Sequence, residues 1–165
     1  MVTVRPATPA DAPAVARVHD AALRTEGRDR YSRAELDAMA PPERDPGTVD
    51  GAILDEPGRY VVVAEAPGVA GVAGVHLESG RLFGVFVDPE RTGEGLGRVL
   101  FEAVESRARE VGLDRLTVRS ALNAVGFYEA CGFERAEDAV GPGGGPLGPY
   151  PEDADIRAVP LEKEL

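Results

Sequence analysis

The sequence predicts a single α/β domain in which one sheet is flanked by helices. Three observations carry this. The chain has 165 residues, the length of one domain, and 43% of them are hydrophobic, as in ordinary globular proteins. Apolar runs of strand length alternate with stretches of helical periodicity. One segment, Val85 to Arg98, passes from a strand through a glycine-rich turn into a helix. A chain this long buries about two-thirds of its unfolded surface and needs no covalent staples. No repeat or composition break divides it, so residues 1–165 read as one domain.

The elements follow in order. Val2 to Arg5 alternates and predicts a short strand. Pro9 opens a helix to about Arg24, with Val15, Val18 and Ala22 on one apolar stripe. Ser32 and Glu35 form a capping box for a second helix, which Pro41-Pro42 stops. Residues 41–58 are rich in proline, glycine and acids and predict loop, with a helical turn near Val49 to Leu54. Arg59 to Ala66 holds Val61-Val62-Val63-Ala64, the continuous apolar run of a buried strand. Pro67-Gly68 turns the chain into a partner strand, Val69 to Leu77. Glu78-Ser79-Gly80 turns it again into Arg81 to Val87. Leu96, Val99, Leu100, Ala103, Val104 and Val111 recur at helical spacing, and Gly112 fits a C-terminal stop. Leu116 to Ser120 predicts a strand, residues 122–131 a helix ended by Gly132, and Phe133 to Ala139 and Ile156 to Leu161 two last strands. Between these two, residues 141–151 hold nine glycines and prolines in eleven positions, which excludes regular structure. That segment reads as a mobile loop or as a flap carrying Tyr150 over a pocket.

Composition excludes several function classes. The net charge of −11 argues against a general nucleic-acid binder, because phosphate contacts need a basic surface. It also argues against anionic membranes and suits a cationic substrate. Cys131 is the only cysteine, so neither a disulfide framework nor a thiolate metal cluster is expected. His19 and His76 alone leave little for zinc, and no metal is expected. No run approaches the length of a membrane span; the longest, Gly68 to Leu77, is half glycine and alanine. The N-terminus reads as no signal peptide, and the expected location is the cytoplasm. Lys163 is the only lysine among 18 basic residues. The arginine bias and the acidic excess together point to a halophilic organism with a high-salt cytoplasm.

The chemistry concentrates in Val85-Phe86-Val87-Asp88-Pro89-Glu90-Arg91-Thr92-Gly93-Glu94-Gly95-Leu96-Gly97-Arg98. Three alternating glycines let the backbone approach a ligand closely. Their N–H groups and the first helical turn converge on one point, which suits a phosphate or pyrophosphate. Glu94 does not oppose this, since the backbone points inward. The segment is neither a dinucleotide fingerprint, because Arg98 stands at the last glycine, nor a nucleotide-hydrolysing loop.

Val87-x-Pro89 followed by Thr92-Gly93-x-Gly95-x-Gly97 resembles the acyl-CoA motif of the GNAT family of N-acetyltransferases. The family pattern is Q/R-x-x-G-x-G/A after a strand ending V-x-P. About thirty residues on, Asn123-Ala124 and Phe127-Tyr128-Glu129-Ala130-Cys131-Gly132-Phe133 resemble the family's N-A…F-Y-E-x-x-G-F element. The opening Arg5-Pro6-Ala7-Thr8-x-x-Asp11 is also similar to many members, and the order of elements agrees over nearly the whole chain. The resemblance implies a mixed, mostly antiparallel, twisted sheet flanked by helices. It also implies direct attack of an amine on the thioester of acetyl-CoA, with no metal, and suggests a homodimer. Thr92 departs from the Q/R position, with Arg91 one residue early. Neither Arg81-Leu82-Phe83-Gly84 nor Leu116-Thr117-Val118 holds the glutamate base of many members.

The resemblance assigns the cofactor site to backbone around Val85, Phe86 and Val87, to Thr92, Gly93, Glu94, Gly95, Leu96, Gly97 and Arg98, and to Asn123. Asn123 could equally cap a helix start. Backbone N–H groups of Val85 to Val87 would take the thioester oxyanion. Tyr128 stands at the family's tyrosine acid, and a phenol is neutral and able to donate at ordinary pH. His76 and Glu78 are the candidate bases; two apart, they face one side of a regular strand. Water is the alternative. His19 and Cys131 read as packing residues. The acceptor site falls to the first two helices and the late hairpin, where Glu26, Asp29 and Tyr31 lie. The reading is acetyl-CoA-dependent N-acetylation of a primary amine on a small molecule or peptide. A non-catalytic acyl-CoA-binding regulatory module is the alternative.

Overall fold

The computed structural model describes residues 2–40, 57–136 and 157–165, together with Leu54. The chain starts with β1 (Thr3–Pro6), a 3-10 turn at Pro9–Asp11, α1 (Ala12–Glu26) and α2 (Arg33–Met39). A meander follows: β2 (Arg59–Glu65), β3 (Val69–His76) and β4 (Arg81–Val87). After a 3-10 turn at Pro89–Arg91 come α3 (Leu96–Glu110), β5 (Arg115–Ser120), α4 (Val125–Ala130), β6 (Glu134–Arg135) and β7 (Val159–Glu164). The strands form one seven-stranded sheet in the order β1-β2-β3-β4-β5-β7-β6. All pairs are antiparallel except β4 with β5. The mixed, mostly antiparallel sheet with flanking helices is therefore as the sequence predicts.

Valine-rich β2 and β3 are central strands and bury both faces. One face takes Val15 and Val18 of α1 against Val61, Val63 and Val72. The other takes Leu96, Leu100, Phe101, Val104 and Ala108 of α3 against Val62, Ala73, Val75 and Leu82. The stripe on α3 is rotated from the predicted one. Phe101 is buried, Val99 is exposed, and Val111 is exposed because it lies beyond the last helical residue. At the far edge the lone lysine is put to use: Lys163 on β7 pairs with Glu105, a buried carboxylate on α3 that also holds Arg109 at 3.1 Å.

Other boundaries differ by a few residues. α1 runs on to Glu26, where Gly27 N donates back to Leu23 O. The capping box of α2 is present: Ser32 Oγ accepts from Glu35 N, and a Glu35 oxygen accepts from Ser32 N. The predicted helix over 122–131 is limited to α4, because Ala121 to Ala124 form a turn first. The predicted strand at 133–139 is β6, and its positions 137–139 lie outside the described residues. So do residues 41–53, the glycine- and proline-rich segment 141–151 and Tyr150; of the helical turn expected near Val49 to Leu54, Leu54 alone is described. Among the described residues, no helix is long and apolar enough to cross a membrane, and no group of three or more His, Cys, Asp or Glu is placed to hold a metal.

Arg5, Asp11 and Glu65 lock β1 to the start of α1 and to β2. Arg5 Nη1 and Nη2 each donate to Asp11 at 2.8 Å, Arg5 pairs with Glu65, and Thr8 N donates to Asp11 Oδ2 at 2.8 Å. The Arg5 hydrogen bonds hold the Asp11 carboxyl down at about 2. A depressed carboxylate stabilises the fold above its unfolded value, and that stability is lost as pH falls toward 2. Asp11→Asn should cost about 1–3 kcal/mol in urea unfolding at pH 7, and the difference from wild type should vanish near pH 2.

Candidate functional site

The site begins where β4 leaves β5. The two strands pair only at Arg81 with Thr117 and Leu82 with Val118. Two residues further on β4 stands Gly84, at φ +148°, where a Cβ would stand 2.7 Å from the Phe86 ring. β3 answers with a register irregularity between Gly74 and Val75. Beyond this point β4 has no partner strand on its β5 side among the described residues. Its Val85 N–H instead donates to the Tyr128 phenol oxygen at 3.1 Å, delivered by α4. That bond uses a lone pair of the oxygen, not its proton. Tyr128 is buried and held edge-on by Phe127 and Phe133.

The gap opens into a cleft of about 390 Å³ lined by Val85, Val87, Phe127, Asn123, Ala124, Glu26 and, from the turn and the start of α3, every residue from Arg91 to Arg98 except Glu94. Val87 ends β4, and Asp88 N donates to Ala70 O at 2.8 Å, fixing where the turn departs. Gly93 and Gly95 sit at φ +85° and +78° with open space where a Cβ would be. Gly95 is the residue before α3, so the first N–H groups of a fifteen-residue helix face this space. Gly97 serves a different purpose: the Phe127 ring would lie 3.1 Å from its Cβ, so α3 and α4 approach only because that position is bare. Asn123 caps nothing. Ala124 occupies the N-cap of α4, and Asn123 Oδ1 is a buried acceptor without a hydrogen-bond partner.

The structure thus brings Val85, Val87, Thr92, Gly93, Gly95, Leu96, Gly97, Arg98 and Asn123 to one cleft, with Tyr128 bonded to its wall. Phe86 faces away, its ring 4.6 Å from His19 of α1. Glu94 pairs with Arg91 at 2.9 Å, and both residues lie on the turn. Arg98 reaches back to Glu102 at 3.2 Å and to Ala130 O at 3.0 Å, tying α3 to the end of the helix that bears Tyr128. Burial raises the Cys131 thiol, and Arg98 only partly offsets this.

His76 and Glu78 do not line the cleft. His76 is the last residue of β3 and pairs with Arg81, at the start of β4. That is four residues, about 13 Å of strand, before Val85. Glu78 is exposed and belongs to the turn after β3, so the strand alternation that put it on the side of His76 does not reach it. Sequence reading missed Arg91, Phe127 and Ala124 as lining residues. Glu26 was legible only as one acid in the connection after α1. The extra half-turn of α1 beyond Arg24 is what carries it to the cleft.

A family description, the acetyltransferase (GNAT) domain, matches residues 29–165. The chain belongs to this family. It carries a GNAT acetyltransferase domain. No protein of curated function matches the sequence. Among solved structures, a GCN5-related N-acetyltransferase from Rhodopseudomonas palustris superposes with a TM-score of 0.80 at 21% identity, covering 99% of this chain and 95% of that one. The PaiA N-acetyltransferase of Thermoplasma acidophilum, solved with coenzyme A, gives 0.76 at 16%, covering 100% and 99%. The ribosomal-protein-S18-alanine N-acetyltransferase of Escherichia coli gives 0.65 at 20%, covering 99% and 94%. At these identities the likeness shows the shared GNAT fold.

One wall of the cleft is anchored by Tyr31, buried in the connection from α1 to α2. Its hydroxyl accepts from Leu122 N at 2.9 Å and donates to Arg157 O at 2.7 Å. Arg157 in turn binds Glu35 at 2.9 Å and Arg30 O at 2.7 Å. Arg157 and the Ser32 N–H hold Glu35 down at about 2, and burial raises the Tyr31 phenol. Tyr31→Phe removes both hydrogen bonds and leaves the ring. It should lower stability by about 1–3 kcal/mol by urea unfolding.

Proposed function

We propose that this protein moves an acetyl group from acetyl-CoA to a primary amine by direct attack. The observation that carries this reading is one cleft lined by Val85 and by the Gly93–Gly97 turn, with the Tyr128 hydroxyl bonded to the Val85 N–H in its wall. Coenzyme A bound to the Thermoplasma relative supports it, as does membership of the family.

The residues fit the ligand. Open left-handed glycines at the start of α3 offer bare N–H groups to a pyrophosphate. The orphaned Asn123 Oδ1 needs an N–H donor, which a pantetheine amide has. Acetyl-CoA supplies an acetyl carbon activated as a thioester. Val85 N–H is aimed at the gap and takes the negative charge that develops on the acyl oxygen. The Tyr128 O–H protonates the departing sulfur; Phe127 and Phe133 keep its ring in place when the Val85 N–H turns from the phenol oxygen to the acyl oxygen. Apolar Val85, Val87 and Phe127 keep water from the reacting carbon. Free amine, not its ammonium, is the nucleophile. Small-molecule and peptide amines both satisfy this chemistry.

The test is calorimetric titration with acetyl-CoA in molar KCl, followed by thiol release with a panel of primary amines. Wild type should bind and turn over. Gly95→Asp should weaken binding by about 100-fold or more, because a Cβ at that φ is strained and its carboxylate meets phosphate. Tyr128→Phe should keep the affinity and lose turnover by about 100-fold or more. Binding without turnover on any amine would favour a regulatory acyl-CoA-binding module. Absence of binding at millimolar ligand would overturn the reading.

A further inference from the structure

A single carboxylate stands at the rim of the cleft. Among the described residues that line the cleft, Glu26 is the single acid. It is the last residue of α1, which packs across β3 and β4 through Val15, Val18 and His19. Gly27 stops the helix at this point, and Tyr31 N donates to Gly27 O at 2.9 Å, so the helix end is fixed by the Tyr31 anchor. Glu26 faces the same cleft as the Val85 wall and sits at its open rim, on the side of α1 and α2.

We propose that Glu26 is the general base, taking the proton from the acceptor's ammonium group. This rests on the acetyltransferase reading above. His76 and Glu78 cannot share the task from the far end of β4. Partial loss of hydration, the one cause acting on it, raises the Glu26 carboxyl above its ordinary value, which makes it a better base. The charged groups that line the cleft with it are otherwise engaged: on the turn Arg91 is held by Glu94, and on α3 Arg98 by Glu102.

The protons balance. An acceptor ammonium enters with three. Glu26 takes one and passes it to bulk water from its exposed position. The amine lone pair forms the C–N bond and the C–S bond breaks. Tyr128 gives its proton to the sulfur and recovers one from the nitrogen, leaving an amide and a thiol. The net release is one proton.

The test compares wild type, Glu26→Gln and Glu26→Asp in the full chain. For a primary amine that wild type acetylates, kcat/KM of Glu26→Gln should fall about 100-fold at pH 7. The loss should shrink as pH rises toward the amine's own pKa, where free amine no longer needs a base. Acetyl-CoA affinity by calorimetry should stay within about twofold, and Glu26→Asp should recover part of the rate. A readout independent of turnover is the 13C carboxyl titration of labelled glutamates. The resonance missing in Glu26→Gln should titrate above the ordinary glutamate value of 4.5 in wild type. An unchanged rate and pH profile in Glu26→Gln, or a midpoint at or below 4.5, would overturn the assignment while leaving the acetyltransferase reading intact. A wild type that binds acetyl-CoA yet acetylates no amine would overturn both.

Discussion

The parting of β4 from β5 after Leu82 and Val118 is the constraint on which the site depends. Parallel strands that stayed paired would satisfy the Val85 N–H within the sheet and leave no room between them. Gly84 breaks that ladder with a backbone conformation that a Cβ would obstruct, and the irregularity between Gly74 and Val75 absorbs the change on β3. A buried N–H without a strand partner must find another acceptor. Tyr128 provides one, and so a broken ladder becomes a cleft whose Val85 wall is backed by a buried hydroxyl.

Everything around the gap serves to keep it open at a fixed width. Gly97 lets Phe127 press against the first turn of α3, so α3 and α4 carry the glycine turn and Tyr128 as one unit. Arg98 adds a polar strap from that turn to Ala130 O. On the opposite side the Tyr31 hydroxyl joins the α1–α2 connection to the end of β5 and to the chain entering β7. The hydrogen bonds that fix the site are made by aromatic hydroxyls, backbone and a few arginines paired with acids.

The sequence revealed those parts of the fold that local chemistry decides. The valine runs, the capping box at Ser32 and Glu35, the glycine turn and the aromatic element at Phe127 to Phe133 each have a periodicity or spacing that requires its conformation. Parts set by long-range registration were not legible. Glu78 was read in the turn after the strand, yet the strand alternation was carried through to it; β3 ends at His76, so its pleat does not fix where Glu78 points. Val99 was placed in the core because apolar spacing alone does not fix how α3 rolls on the sheet, which Phe101 decides. Glu26 looked like one acid among many, since its role depends on where the end of α1 falls relative to a cleft on the other side of β4. Asn123 could be read as a helix cap or a ligand contact, and the placement of Ala124 at the N-cap removes the first.

The central claim is that the acyl group lies against Val85 N–H while the glycine turn holds the phosphates. Backbone amide shifts, followed by 15N NMR through titrations with coenzyme A and with acetyl-CoA, test it most directly. Amides of Gly93, Gly95 and Gly97 should move with both ligands to the same extent. The Val85 amide should move much further with acetyl-CoA, as a carbonyl oxygen replaces the Tyr128 hydroxyl as its acceptor. Movement of the glycine amides with an unmoved Val85 would contradict the account at the step where chemistry occurs. Unmoved glycines would contradict it at the step of binding.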